Sequence, residues 1–436
     1  MRVLQLCEDS KPVRHGLSNA QKESLEAAIA AWQDDFSGAG KPPEPLCFQG
    51  KEGGSLVAHQ FAGIIGTSEV TVEIYPKLDA ALIHSEDDER VDPNSANTAM
   101  WNLLWMMQVA GGWECEETGN APLQDTPLEW YDLFTMLLGR NLRAELQRGL
   151  PHRYLPQQDA IHAVRGRIQL GRQITSHWNR FDRVECLWDE FTADTPLNRL
   201  FKCACRFLAE RVQHPTAWGL MQDCLGLLEE VEDVDPLTAL RGAQQCHWDR
   251  TFDRFRKPFQ LAERLLRGTS PVLASGDNDT FVFLVDMHQL FEDYVGAVLE
   301  SGFGVTIEQQ VKVGTLFSAP PTLNQIADFR WRDKSKQAWI GDAKYKHLAK
   351  AISTTVSHRH LVEADVRQLT VYGELERQRT GENASVNLLL AYPFVGEEPN
   401  FHAESAKAWN GSEFWIVPVD VRAKSATEHC LPSLPT

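Results

Sequence analysis

Two acidic residues and a lysine lie close together in the stretch Ile326–Lys346, whose sequence is IADFRWRDKSKQAWIGDAKYK. Because side chains alternate along a strand, Asp328 falls on one face of a first predicted strand, and Asp342 and Lys344 share one face of a second. The charged segment Asp333–Lys336 between them is typical of a polar turn. The stretch therefore predicts a β-hairpin that carries both acids and the lysine.

The expected register of this hairpin sets two carboxylates side by side. Pairing Arg332 with Gln337 puts Asp328 within about one residue of Asp342, and directly opposed Cβ atoms are roughly 4.5–5.5 Å apart. Two carboxylates at that distance repel unless a proton or a cation lies between them. Oxygen ligands suit Mg²⁺, which takes one or two carboxylates and keeps waters or phosphate oxygens. The pattern predicts a Mg²⁺ site, with Lys344 beside it to hold or polarise an attacking water.

The same pattern also fits an ordinary surface hairpin with solvated charges, because an isolated Asp-X-Lys occurs by chance in a long chain. The flanking segments favour chemistry. Phe281–Leu299 has apolar residues at helical spacing throughout and carries Glu292. Ala364–Glu376 predicts a second helix that places Gln368 and Tyr372 on one face.

Several short blocks together carry a resemblance to one family, although no single block is specific. The blocks are Val72–Leu78, Val164–Ile168, Asp194–Leu200, Leu290–Val295, Asp328, Asp342–Lys346 and Gln368. The chain resembles McrC, the nuclease subunit of the McrBC modification-dependent restriction systems, and the order of its elements is similar to that of the PD-(D/E)XK nuclease fold. It departs from the family pattern at Ala327, where proline is common, and in having Asp342 as the second acid rather than glutamate. Neither departure removes a metal ligand.

This resemblance implies a metal site with named ligands. Asp328 and Asp342 would bind Mg²⁺, or Mn²⁺ in its place, together with the main-chain carbonyl of Ala343. Glu292 would add a further acid at the edge of the site, through water or a second metal ion.

The resemblance also implies residues that act on the water and the phosphate. Lys344 would position the nucleophilic water, Gln368 would orient that water or a phosphate oxygen, and Tyr372 would brace Gln368. The expected reaction is in-line hydrolysis of a phosphodiester bond.

The expected fold class is α/β (α+β), with an N-terminal mixed β/α domain, a helical middle and a C-terminal PD-(D/E)XK restriction-endonuclease-like core. The expected boundaries are 1–163 for a domain that docks on an AAA+ partner, 164–275 for the helical region, 276–423 for the nuclease core and 424–436 for a disordered tail. Gly268–Thr280 is the clearest boundary by composition.

Charge and motifs bear on the partners. The net charge is −17, with 60 acidic against 43 basic residues, whereas a protein that grips DNA alone usually carries a basic surplus. Either the chain contacts DNA through a small local patch, or another subunit holds the DNA. No Walker A pattern occurs, so we expect the chain to bind no nucleotide. The resemblance implies an McrB-like AAA+ GTPase or ATPase hexamer that holds the modified double-stranded DNA.

The sequence predicts a cytoplasmic protein without a membrane partner. No apolar run reaches the roughly 20 residues of a membrane span, and the N-terminus lacks the apolar core of a signal peptide. The nine cysteines are irregularly spaced, and Cys203 and Cys205 lack a second pair at zinc-site spacing. Reduced thiols are therefore expected.

Four expectations concern other segments. We expect Tyr154–Ala163 to be a connector between elements. Gly111–Thr126 should be a loop. Its Trp113 and acidic residues motivate the hypothesis that this region or its neighbours forms a protrusion that enters the partner's pore, and the alternative is an ordinary surface loop. The charges of Arg165 and Arg167 suit either a phosphate contact or a structural role. Asp194–Arg199 is best explained as a helix cap.

Two function classes remain open at this point. The first is a Mg²⁺-dependent DNA endonuclease subunit, activated by an NTP-hydrolysing AAA+ partner and stimulating it. The alternative is a non-catalytic regulator of that NTPase. A stand-alone repair nuclease is a weaker third reading, because the acidic charge and the large N-terminal region oppose it. The complete set of acids with Lys344 favours the endonuclease.

Overall fold

The computed structural model describes residues 2–9, 11–34, 42–49, 54–79, 81–82, 91–111, 127–176, 179, 182–246, 248–250, 252–268, 280–318, 321–346, 363–381, 385–395, 402–408, 411–422 and 430–432. The chain divides into two compact units, one of Met1–Leu137 with Leu273–Thr436 and one of Leu138–Val272. Helices and sheets are mixed along the chain, as predicted for an α/β protein.

In chain order the elements are β1 (Arg2–Cys7), β2 (Val13–Arg14), α1 (Asn19–Asp34), β3 (Leu46–Gln49), β4 (Ser55–Ala58), β5 (Phe61–Gly66), β6 (Val70–Tyr75), α2 (Pro93–Ala110), α3 (Trp130–Gln147), β7 (Arg153–Ile161), β8 (Arg167–Ile168), α4 (Leu170–Ser176), β9 (Val184–Thr192), α5 (Pro196–Ala209), α6 (Pro215–Leu227), α7 (Pro236–Ala243), a 3₁₀ turn (Asp253–Phe255), α8 (Arg256–Gly268), β10 (Phe281–Asp286), α9 (Met287–Phe303), β11 (Glu308–Ser318), β12 (Pro321–Arg332), β13 (Ala338–Ala343), α10 (Glu363–Thr380), β14 (Val386–Phe394), β15 (Glu404–Lys407) and β16 (Glu413–Asp420).

The first unit contains a four-stranded sheet in the order β1-β6-β5-β10, in which β1 and β6 run parallel. Strands β5 and β6 form an antiparallel hairpin. Leu25 and Ile29 of α1 pack with Ile65 and Val72 of the sheet in one buried cluster. The small sheet β2-β4-β3 adds further strands at this end of the chain.

The prediction of one continuous helix over Phe281–Leu299 is wrong for its first six residues. Phe281–Asp286 forms β10, which pairs antiparallel with β5. The rings of Phe281 and Phe283 are buried on alternating positions, which suits a strand. The Asp286 side chain then accepts hydrogen bonds from the main chain of His288 and Gln289, so the helix begins only at Met287.

The first unit also contains a six-stranded sheet in the order β11-β12-β13-β14-β16-β15. Strands β11, β12 and β13 are antiparallel, and β13, β14 and β16 are parallel. Leu369 and Tyr372 of α10 pack on Ile340 and Leu388 on one face. On the other face Phe303 of α9 lies against Trp331, with the ring centroids 5.3 Å apart. Helices therefore cover both faces of the sheet where β12 and β13 meet.

The second unit contains a three-stranded sheet in the order β7-β9-β8 and the helices α5 to α8. The expectation of a connector over Tyr154–Ala163 is wrong, because Arg153–Ile161 forms β7 and pairs with β9 over its whole length. Both faces of β7 are largely exposed, so the strand lacks the apolar alternation that would have marked it.

Some expectations fall outside the described residues. These include the Gly111–Thr126 loop beyond Gly111, most of the Gly268–Thr280 boundary, and most of the tail after Lys424. Three tail residues are described, and among them Cys430 is buried, which departs from the predicted disorder. The eight described cysteines are unbridged. Within the described part of the chain, no helix combines the length and apolarity that crossing a membrane requires.

Candidate active site

The hairpin β12–β13 forms with a register one residue away from the predicted one. Arg332 pairs with Ala338 and Phe329 with Gly341, so continuing the ladder by one step puts Asp328 directly opposite Asp342. The shift arises in the turn, where the Asp333 carboxylate accepts a hydrogen bond from the Gln337 main chain at 2.9 Å. The observed register brings the two acids closer together than the predicted register would.

The two faces of the hairpin have different surroundings. Trp331 and Trp339 stack on one face, with ring centroids 5.4 Å apart and planes at 12°. On the opposite face Ile340 belongs to the cluster that α10 covers. By alternation Asp342 also lies on the α10 side, as does Asp328. The apolar stacking thus fixes the side toward which the acids point.

The main chain and the lysine at the end of β13 contact both acids. The Ala343 N–H donates to Asp328 Oδ2 at 2.8 Å. Lys344 Nζ lies 2.6 Å from Asp342 Oδ2. Asp342 is only 1% exposed, so this ion pair lies in a largely desolvated position. The structure therefore brings Asp328, Asp342, Ala343 and Lys344 together, as the sequence predicted.

The acids are held in an environment that disfavours their charge. Burial, with the neighbouring Asp328 carboxylate second, raises the pKa of Asp342 to about 7. Burial also raises the pKa of Asp328, although the hydrogen bond from Ala343 opposes the shift. Burial alone would lower the pKa of Lys344, but Asp342 outweighs it and raises that pKa. One lysine does not neutralise two carboxylates, so the site carries excess negative charge when both acids are ionised. Lys344 stays protonated at neutral pH.

These residues fit a divalent cation bound by oxygen ligands. Asp342 Oδ2 is buried and makes no hydrogen bond of normal geometry despite its contact with Lys344. The Ala343 main chain lies beside Asp328, to which its N–H donates, and the role of the Ala343 carbonyl as a ligand stays a prediction. In the described residues no three His, Cys, Asp or Glu side chains converge as a metal cluster. Two carboxylates with water suit Mg²⁺ better than a metal that needs a full protein ligand set.

Glu292 extends from α9 and contributes charge to the site at longer range. Its carboxylate accepts a hydrogen bond from Gln310, which the sequence reasoning did not identify. Burial raises its pKa, and the Asp342 carboxylate adds to that increase. The structure thus brings Glu292 within electrostatic reach of Asp342, and its role as a ligand stays a prediction.

The predicted contact between Gln368 and Tyr372 is present on α10. Gln368 Nε2 donates to Tyr372 Oη at 2.6 Å. Burial raises the pKa of Tyr372, and the charge of Asp342 contributes to the shift. The charge of Asp342 therefore acts on the Tyr372 hydroxyl. The catalytic roles of Gln368 and Tyr372 stay predictions.

A further ion pair beside the site was missed. Lys346 Nζ contacts both carboxylate oxygens of Asp365 at 2.8 and 2.9 Å, and Tyr392 donates to the same carboxylate at 3.4 Å. Lys346 follows Lys344 by two residues and Asp365 shares a helix face with Gln368, so these spacings were the available signal. The pair ties the end of the hairpin to α10.

Two other motifs have structural explanations within the second unit. Thr195 Oγ1 accepts the Asn198 N–H at 3.2 Å and caps α5, as predicted. Arg165 pairs with Glu190 at 3.2 Å and lies over the Trp188 ring, so its charge is matched inside the sheet.

The fold of this chain is similar to that of a solved protein. A solved half-complex from a tetradecameric assembly of Thermococcus gammatolerans McrB AAA+ hexamers with bound McrC contains a chain with the same fold, at 19% identity and a TM-score of 0.65, covering 96% of this chain and 94% of that one. A chain of the cryo-EM structure of the Thermococcus gammatolerans McrBC complex is 20% identical, with a TM-score of 0.46 and coverage of 68% of this chain and 87% of that one. No curated protein matches the chain significantly.

The family model described as "McrBC 5-methylcytosine restriction system component" matches residues 56–393. The match includes the hairpin, both acids, Lys344 and the α10 residues. Because it spans well over half of the sequence, the chain belongs to the family of McrBC 5-methylcytosine restriction system components.

Proposed function

We propose that this chain is the nuclease subunit of an McrBC-like restriction complex and hydrolyses phosphodiester bonds of DNA with Mg²⁺. Its PD-(D/E)XK-type core would be the six-stranded sheet with α9 and α10. The observation that carries the proposal is the pair formed by the buried Asp342 and the half-buried Asp328, set opposite each other with Lys344 alongside. An ion pair that only stabilises the fold requires one acid and one base, whereas here a single lysine lies beside two carboxylates.

The residues of the chain have distinct roles in this proposal. Asp328, Asp342 and the Ala343 carbonyl would hold the ion, and Glu292 would act at the edge of the site. Bound Mg²⁺ supplies Lewis-acid stabilisation of the phosphate and a more acidic water. Lys344 stays protonated, so it would hold the water and offset phosphate charge rather than remove a proton.

Two residues of α10 complete the proposed site. Gln368 would orient the water or a phosphate oxygen through its amide. Tyr372 would fix the Gln368 side chain by the hydrogen bond between them. The Leu369 and Tyr372 packing on the sheet holds both groups on a rigid helix.

An AAA+ partner is the second part of the proposal. Family membership supports a multi-component system. The net charge of −17 and the absence of a Walker A pattern from the sequence indicate that another subunit grips DNA and hydrolyses NTP. We propose an McrB-like hexamer as that subunit and 5-methylcytosine-containing duplex DNA as the substrate.

The test is a reconstitution with an McrB-type partner, MgCl₂, GTP or ATP, and methylated or unmethylated duplex DNA. We expect cleavage of methylated DNA only in the complete mixture, because the partner supplies DNA grip and activation. Omitting the chain, the partner, the NTP or Mg²⁺ should each remove cleavage. EDTA followed by excess Mg²⁺ should restore it.

The regulator alternative gives a different result in the same experiment. In that case the chain would raise the NTPase rate of the partner while no mixture cleaves DNA. Cleavage by the chain alone at the full rate would instead indicate a stand-alone nuclease.

A further inference from the structure

A buried carboxyl group lies at the end of β1, distant in sequence from the candidate site. Glu8 is 0% exposed. Its Oε1 accepts a hydrogen bond from the Lys77 main-chain N–H at 2.7 Å and another from the Tyr345 hydroxyl at 2.5 Å. This single oxygen therefore joins the ends of β1 and β6 to the residue that directly follows Lys344.

The other oxygen of this carboxyl group is not satisfied. Glu8 Oε2 is buried without a hydrogen bond. Burial raises the pKa of Glu8 to about 8, which means that the surroundings disfavour its charge. A buried polar group of this kind costs folding free energy, and an apolar side chain would fill the same space more favourably. Packing alone does not explain a carboxyl group here.

Tyr345 is the contact through which Glu8 reaches the site. Its ring lies against Phe291 of α9, with centroids 5.7 Å apart, and it is itself buried. Phe291 precedes Glu292, so the same ring touches the helix that carries the third acid. The hydroxyl of Tyr345 fixes the direction of the ring through Glu8.

The main chain around Lys344 is held from two sides. Lys344 N–H donates to the Ala391 carbonyl at 2.9 Å, and the Lys344 carbonyl accepts the Lys346 N–H at 2.7 Å. Beyond it, Lys346 is anchored to Asp365 at 2.8 Å. Tyr345, between these residues, is anchored to Glu8. The Lys344 side chain thus extends toward Asp342 from a short turn. The side chains of the next two residues, Tyr345 and Lys346, are both held by carboxylates.

We propose that Glu8 is a positioning residue of the candidate active site, acting through the Tyr345 hydroxyl to hold Lys344 against Asp342. The inference rests on the proposed function for its catalytic consequence. It assigns the Val72–Leu78 block a role as well, because the main chain of Lys77 supplies the second hydrogen bond to Glu8.

The test compares Glu8→Ala, Glu8→Gln and Tyr345→Phe with wild type in the full complex with partner, NTP and Mg²⁺. Glu8→Gln keeps an acceptor oxygen for both donors, so it should cleave within about threefold of wild type. Glu8→Ala and Tyr345→Phe should lower kcat on the order of 10- to 100-fold, since small misplacements of a reacting group cost that much. KM for DNA and the half-saturating Mg²⁺ concentration should not change.

Lys77→Ala is the matched control. It alters the same junction, keeps the main-chain N–H that donates to Glu8, and removes an ammonium group that donates to the Asp9 carbonyl at 2.8 Å and whose charge lowers the pKa of Glu8. A higher Glu8 pKa leaves the acceptor oxygen for Tyr345 in place. It should cleave at the wild-type rate. Stimulation of the partner's NTPase should be preserved in every variant, which checks that each one is folded.

A second readout does not depend on cleavage. Amine acetylation with N-hydroxysuccinimide acetate, followed by peptide mass spectrometry, reports how freely Lys344 reacts. Lys344 should be slow in wild type and Glu8→Gln and several-fold faster in Tyr345→Phe, while the exposed Lys312 should react equally in all. Tyr345→Phe keeps the ring packing, so it is informative even if Glu8→Ala does not fold.

The outcomes separate the inference from the proposed function. If wild type does not cleave, the proposed function fails, and acetylation of Lys344 alone decides whether Glu8 positions it. If wild type cleaves and Tyr345→Phe matches it in kcat and in Lys344 acetylation, the inference about Glu8 is overturned.

Discussion

Within the described residues, two clusters that combine acids with one basic side chain differ in their balance, one at the start of α5 and one at the end of β13. In the first, Arg199 Nε and Nη2 donate to the two oxygens of Asp194 at 2.8 and 2.5 Å. The main-chain N–H of Glu232 donates to Asp194 as well, at 3.0 Å. The Arg199 hydrogen bonds lower the pKa of Asp194. The Asp194 carboxylate is thus matched in charge and in hydrogen bonds, while the exposed Glu232 side chain contacts the same guanidinium at 2.6 Å.

The second cluster has the opposite balance. Asp328 and Asp342 face each other, and one lysine contacts one oxygen of one acid. Burial raises the pKa of both acids, that of Asp342 to about 7. The comparison shows that similar residue types stabilise a helix start where the charges are matched and leave room for a cation where they are not.

Substitution of the basic side chain should have the most different effects in the two clusters. We expect Lys344→Met to lower the DNA cleavage rate about 100-fold in the complete complex, because a charge beside the reacting phosphate is lost. Arg199→Met should leave the cleavage rate unchanged and lower the stability of the chain, because Asp194 loses its bidentate partner. The measurement is kcat together with the denaturant midpoint of each variant. Equal losses of kcat in both would contradict the distinction.

Mg²⁺ should stabilise one cluster and not the other. We expect MgCl₂ at about 100 times its Kd to add about 3 kcal/mol to the stability of wild type, since the ion binds only the folded site. Asp328→Asn should show little of this gain, whereas Asp194→Asn should keep all of it. Melting temperatures across a MgCl₂ titration check this, with NaCl of equal ionic strength as the control. A gain that survives in Asp328→Asn would place the ion elsewhere.

The pH dependence of stability should carry the signature of the raised pKa values. Without divalent ions, the folded chain keeps the Asp342 proton up to about pH 7, while the unfolded chain has already lost it. Stability should therefore fall as the pH rises from about 4 through 7. Glu8 adds a fall of the same sign from about pH 4.5 through 8.

The Asp342 contribution is isolated by comparison with a variant. Wild type and Asp342→Ala should differ in slope between about pH 4 and 7 and run parallel above it. Asp194 has a lowered pKa, so its contribution is present at neutral pH and is lost only in acid. Unfolding midpoints from pH 4 to 9 measure the slopes. Identical slopes in both proteins would show that protonation of Asp342 is not coupled to folding.

The smallest effect should come from the cap of α5. Thr195→Ala removes the hydrogen bond to the Asn198 N–H and should cost about 1 kcal/mol of stability. Cleavage at saturating DNA should be unchanged. Thr195→Ser keeps the acceptor and should restore most of the loss. A kcat change in Thr195→Ala would mean that this motif does more than cap a helix.

The elements that sequence periodicity describes well were predictable. The helix α10, at Glu363–Thr380, lies where the sequence predicts a helix over Ala364–Glu376. The strands β7 and β10 were not predictable in this way. β7 is exposed on both faces, and β10 runs directly into a helix within one apolar stretch. In both cases the partner strand, not the local pattern, decides the conformation.

The contacts of the candidate site, too, were predictable only where they are local in sequence. Asp328, Asp342 and Lys344 lie within a single hairpin, so alternation and a short turn are enough to bring them together. Glu8 is 337 positions from Tyr345, and no spacing rule connects them. The register itself was off by one residue because the Asp333 side chain shapes the turn. Contacts that form only through tertiary packing could not be predicted from a single sequence.

The measurement that tests the central claim most directly is DNA cleavage by Asp342→Ala and Asp194→Ala, each assembled with the AAA+ partner, NTP, Mg²⁺ and methylated duplex DNA. Both variants should stimulate the partner's NTPase like wild type. Asp342→Ala should lose at least about 1000-fold in cleavage, which corresponds to the several kcal/mol that a bound metal supplies, while Asp194→Ala should cleave like wild type. Cleavage by Asp342→Ala at the wild-type rate would show that the paired acids are not the active site.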